Sequence, residues 1–90
     1  MPTNQRRIHD VVELGRIVAG TRIAQGLRAT ELTASHVFVS DLEHGKETAQ
    51  IGKVLSVLAD LGIEVILELP PGVELPDNFD QQPPRRRISR

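Results

Sequence analysis

The sequence predicts a small, mainly α-helical domain, with about four or five helices and a single C-terminal β-strand. Three observations carry that prediction. Apolar residues recur at helical spacing through most of residues 10–61, a β-branched alternating run occupies 63–69, and a polar, proline-rich stretch begins at Pro70. Helices therefore come first, one strand follows, and a tail of different character ends the chain.

Residues 1–9 form a polar arm carrying Arg6 and Arg7, expected to be flexible and basic. Asp10 then stands where a side-chain oxygen can cap a helix over 10–24, with Val11, Leu14, Ile17 and Val18 inward and Arg16 and Arg22 outward. Gln25-Gly26-Leu27 ends it. Thr30, Glu31 and Leu32 leave room for a second helix of barely a turn and a half.

Ser35 is the expected N-cap of a short third helix over 36–44, because its hydroxyl can accept from the first-turn amides. Val39 and Leu42, three apart, give that helix one buried stripe, Phe38 is expected to pack beside it, and Gly45 supplies a left-handed cap. His44 suits a capping role at the helix C-terminus, where a cation is favoured. Asp41 and Glu43 read as an exposed charged face, and His9 has no evident partner.

The most regular helix is expected over 48–61, starting near Thr48, with Ile51, Val54, Leu55, Leu58 and Leu61 on its apolar side and Gly62 after its end. Residues 63–69 follow as a strand that stops at Pro70-Pro71. No other run is β-like enough to pair with it, so the expected mate is the same strand of a second copy. Ile63, Val65, Ile66, Leu67 and Leu69 would then form the dimerisation surface of a homodimer.

Residues 70–90 hold all but one of the six prolines and lack periodicity, so that tail is expected to be disordered alone. Phe79 and the cluster Arg85, Arg86 and Arg87 within it suit folding onto a partner, either an acidic protein surface or DNA phosphate.

Ninety residues allow one small domain, and a domain of that size gains from dimerisation. The absence of cysteine removes disulfides, thiolate metal sites and thiol nucleophiles, and fits a reducing cytoplasm. No run is long and apolar enough for a bilayer span or a signal peptide, so no membrane role is expected. Phe38 and Phe79 are the only aromatics, which argues against stacking platforms for single strands.

The net charge of −1 hides an asymmetry: residues 1–30 carry five basic and two acidic side chains, residues 31–69 two and seven. Attraction to phosphate must come from the N-terminal third together with Lys46 and Lys53. No activated nucleophile, paired carboxylates, phosphate-cradling glycine loop or metal-ligand spacing is present, so no catalysis, cofactor, metal or small-molecule substrate is expected.

The series Gln25-Gly26-Leu27, Glu31-Leu32, Ser40-Asp41-Leu42-Glu43-His44-Gly45-Lys46, Lys53-Val54-Leu55 and Leu61-Gly62 resembles the helix-turn-helix domain of the Xre and phage-repressor type. The run from Lys46 to Leu55, followed by one helix and one strand, is similar to the HipB-like antitoxins in particular. The likeness spans residues 10–69. It implies a DNA-binding transcriptional autorepressor, dimeric, serving as the antitoxin of a type II toxin-antitoxin system and partnering a HipA-like kinase toxin.

Position by position, the resemblance places Ser35, His36, Val37, Ser40 and Asp41 toward base edges of double-stranded operator DNA. It makes Arg28, Thr30, Lys46 and Lys53 phosphate neighbours. The chain departs from the family at Ala29, where a glutamine is usual, and between Leu27 and Lys46, which is about one helical turn short. That departure leaves two other readings open: a toxin-neutralising interaction module without operator binding, and a stand-alone phage-type regulator.

Overall fold

The structure, a computed structural model, describes residues 4–81. Among these residues three α-helices make the fold: α1, Val11–Ala24; α2, His36–Glu43; and α3, Ile51–Asp60. Single 3₁₀ turns lie at Ala29–Glu31 and Phe79–Gln81. The count is lower than the four or five helices expected, because the segment after Leu27 closes only one 3₁₀ turn before Leu32 turns into the core. Eight apolar residues, Val18, Leu32, Val39, Leu42, Val54, Val57, Leu58 and Leu61, form that core.

Local chemistry fixes the helix starts. The Asp10 side chain accepts from the Glu13 amide at 2.9 Å, and the Glu13 carboxylate accepts in turn from the His9 amide at 2.5 Å. His9 therefore has a partner after all, since its ring Nδ1 also lies 3.3 Å from Glu13. At α2 the Ser35 hydroxyl accepts from the Phe38 amide at 3.1 Å. Helix α3 begins at Ile51 rather than near Thr48, behind Gln50, which makes no side-chain capping bond.

The helix ends share one device. The amide two residues beyond each C-cap donates to the carbonyl five positions back: Leu27 to Arg22 at 3.0 Å, Lys46 to Asp41 at 3.0 Å, and Ile63 to Leu58 at 2.8 Å. The glycines between them, Gly26, Gly45 and Gly62, have φ of 73, 82 and 77°. Gly45 is doubly constrained, because a Cβ there would also lie 2.8 Å from Val12 Cγ2.

α1 and α2 cross with almost nothing between them. A Cβ added to Gly15 would stand 2.3 Å from the Leu42 carbonyl oxygen and 2.8 Å from that of Glu43, so only glycine allows this approach. α3 contributes Val54, Val57 and Leu58 to the core and its C-cap Leu61 continues the row, a narrower stripe than expected. Ile51 (68% exposed) and Leu55 (46%) lie outside it, because they share the face next to the core-facing row rather than the row itself.

Residues 63–69, expected as a strand, form no ladder within the single chain, and among the described residues there is no hydrogen-bonded sheet. A ladder needs a second strand. Ile63 packs against the core, whereas Val65, Ile66, Leu67 and Leu69 are exposed. One contact ties the segment to the arm: Arg7 donates to Glu68 at 3.2 Å, between side chains that are both largely in solvent.

Candidate nucleic-acid interface

α2 presents one face to solvent and keeps the other in the core. Val39 and Leu42 are fully buried, and Phe38 is half-buried against the same cluster. Ser35, His36, Val37 and Ser40 are exposed, with Val37 at 57%. His36 and Ser40, four apart, and Val37 and Ser40, three apart, share the outer side of the helix. Its N-terminal half is thus the open part.

The chemistry on that face is mixed. The His36 ring can donate to a guanine or phosphate acceptor, the Ser40 hydroxyl can bond either way, and the Val37 methyls suit a thymine methyl. Ser35 spends one lone pair on the cap and keeps a hydroxyl proton to donate. Asp41 is half-buried and receives Lys46 Nζ at 3.5 Å, which offsets its charge.

The remaining basic groups flank the helix. Lys53, near the start of α3, holds its ammonium 5.8 Å from the centroid of the Phe38 ring, alongside α2. Arg28 and Thr30 are exposed at the 3₁₀ turn, where the Arg28 amide donates to Glu31 at 2.6 Å. Phe79 is 52% exposed in the last 3₁₀ turn, away from this edge in sequence. Arg85, Arg86 and Arg87 lie outside the described residues.

Two interactions brace α2 from outside, and local sequence gives no sign of the first. Arg22, expected outside, turns inward: its Nε donates to Glu43 at 2.6 Å and a terminal nitrogen donates to the same carboxylate at 3.0 Å. The other terminal nitrogen reaches the Leu27 carbonyl at 2.9 Å. The pair is nearly closed off, with the side chains 17% and 10% exposed, so Glu43 is not part of an open charged face. Hydrogen bonding to Glu43 raises the Arg22 pKa above its already high ordinary value, so the charge is permanent.

The second brace is at the other end of α2. Asp60, the last residue of α3, accepts from the Thr33 amide at 2.8 Å and from the Thr33 hydroxyl at 3.1 Å. α1 and α3 are also joined directly, through the Gln25 side-chain amide and the Leu61 carbonyl at 2.8 Å. His44 closes α2, with Nδ1 2.7 Å from the Ser40 carbonyl, in keeping with a capping role.

A short exposed helix, preceded by a tight turn and held across a longer helix, is the arrangement of a helix-turn-helix protein. The chain is 44% identical over 69 residues to an uncharacterized HTH-type transcriptional regulator of Sinorhizobium fredii, y4mF, covering 72% of this chain and 91% of the relative. The chain belongs to the HTH-type transcriptional regulators. No protein-family model matches it, and no solved structure matches it significantly. Among the described residues, no helix is long and apolar enough to cross a membrane.

Proposed function

We propose that this chain is a sequence-specific DNA-binding autorepressor, and the antitoxin of a type II toxin-antitoxin pair whose toxin is a HipA-like kinase. The observation that carries the DNA reading is the open N-terminal half of α2, with His36, Val37 and Ser40 exposed while Val39 and Leu42 are fully buried. Such a helix enters the major groove with its first residues at the base edges, while Lys46, Lys53, Arg28 and Thr30 meet phosphate. None of the base-facing groups makes a bidentate contact, so direct readout gives modest specificity. The protein works by binding rather than by catalysis, in the cytoplasm.

The homodimer is part of the same proposal. Val65, Ile66, Leu67 and Leu69, between 43% and 81% exposed, are covered by the same segment of a second copy, and the two-fold sets the spacing of two half-sites. The antitoxin role is supported by the resemblance of residues 46–69 to HipB-like proteins. The kinase toxin is met through the folded domain or the tail.

Binding of the purified protein to DNA from upstream of its own coding sequence, measured across a salt series, tests the regulator reading. The expected result is tight, salt-sensitive binding weakened by His36→Ala and by Lys46→Ala. Affinity no better than for random-sequence DNA refutes it. One observation favours a second reading, a toxin-holding module without operator binding: only the turn Ala29–Glu31 stands where the family has a full helix. Normal capture of a co-expressed HipA-like kinase with no DNA preference would select that module.

A further inference from the structure

We propose that Asp60 is a positioning residue for DNA reading: from the end of α3 it latches the shortened turn before α2 and so sets the angle at which α2 is presented. The proposal rests on the regulator reading above and adds to it a part of the molecule far from the reading face in sequence.

Both oxygens of one carboxylate are spent on one residue. Thr33 Nα–H donates to Oδ2 at 2.8 Å and its hydroxyl donates to Oδ1 at 3.1 Å, which fixes Thr33 in two directions. The surroundings leave it little else to do. Between Leu32, 8% exposed in the core, and Ser35, the cap of α2, lie only Thr33 and Ala34. Whatever holds Thr33 therefore holds the entry to α2.

The position of Asp60 points the same way. A carboxylate on the last residue of a helix opposes the helix dipole, so local helix stability disfavours an acid there. Both partners are exposed, so core packing does not call for the pair. Its geometric effect on α2 is direct. Arg22–Glu43 anchors the C-terminal end and Thr33–Asp60 the N-terminal end, and in a helix about 12 Å long a 1 Å slip at one end swings the axis by about 5°.

Charge makes the test sharp. Removing an acidic group from a protein that binds DNA strengthens binding by long-range electrostatics alone, whereas loss of the latch weakens it. Wild type, Asp60→Ala, Thr33→Val, Thr33→Ser and the charge control Glu74→Gln, at an exposed position, are titrated against a duplex from upstream of the coding sequence and a random duplex of equal length. Amide hydrogen exchange at Thr33 and Phe38 is followed without DNA, and a thermal melt confirms folding.

The expected result is a loss of about tenfold for Asp60→Ala on the upstream duplex with no loss on the random one, and about threefold for Thr33→Val. Glu74→Gln holds or gains on both duplexes, and Thr33 exchanges faster in Asp60→Ala. Thr33→Ser, which keeps both donors, binds with wild-type affinity. Asp60→Ala binding the upstream duplex as tightly as wild type or tighter, with Thr33 exchange unchanged, overturns the proposal. Faster exchange with undiminished preference also overturns it, because the latch then exists without positioning α2. A wild-type protein that does not distinguish the two duplexes fails the regulator reading itself, and the exchange data then report on the bond alone.

Discussion

Glu43→Ala is expected to be the most damaging single change outside the hydrophobic core. It removes two of the three acceptors of the Arg22 guanidinium, at 2.6 and 3.0 Å, and leaves a permanent charge, on a side chain 17% exposed beside Glu43, with only the Leu27 carbonyl to bind. Breaking a nearly buried, hydrogen-bonded pair from one side costs about 3 kcal/mol, because the surviving charge stays desolvated. A domain of this size has roughly 5 kcal/mol to lose, so most of its stability goes. At about 5 °C per kcal/mol the melting temperature falls by about 15 °C.

Circular dichroism at 222 nm through a thermal ramp, at fixed protein concentration, reads that shift. The stronger check is a double-mutant cycle with Arg22→Met, since a paired loss must be less than the sum of the single losses. A fall below about 3 °C for Glu43→Ala, or strict additivity in the cycle, would refute the account of the pair as a strut between α1 and α2.

Gly15→Ala forces a Cβ to 2.3 Å from the Leu42 carbonyl, and the helices must part; a loss of about 2 kcal/mol in urea unfolding is expected, with less than about 0.5 showing that the crossing relaxes freely. Gly20→Ala is its opposite: the site is open in the exposed interior of α1, so a gain of about 0.5 to 1 kcal/mol is expected in the same assay. Ser35→Ala removes the cap on the Phe38 amide and should cost about 1 kcal/mol, read as a lower urea midpoint at constant slope. Lys53→Ala should lower the salt slope of DNA binding by about one, uniformly across sequences; an unchanged slope removes it from the phosphate contacts.

The parts legible in the sequence were those written in neighbouring residues. Asp10 and Ser35 announce their helix starts through the amides three positions on, and Gly45 and Gly62 announce the ends, so α1 and α2 fall where spacing and caps place them. α3 starts three residues beyond the expected Thr48, a good capping type, because the chain turns there instead. Ile51 and Leu55 were assigned inward because two adjacent apolar rows on one helix cannot be ranked without knowing what they face.

The interactions that hold α2 were less legible, because they join residues distant in sequence. Arg22 and Glu43 stand 21 positions apart and Thr33 and Asp60 27 apart, and a charged side chain at helical spacing reads as solvated unless a partner is known. The one local hint was an acid at the end of α3, where the dipole disfavours it. Gly15, the site of closest approach, carries no local signature that sets it apart from Gly20 in the same helix, which meets nothing.

That approach bears on how costly it would be to dock α2 on a target. With the backbone of α1 lying directly on the last turn of α2, there are few side-chain rotamers between them to freeze, so most of the ordering entropy is lost during folding rather than at the moment of contact. A helix preorganised in this way gives a larger share of each contact's free energy to residence time on its target.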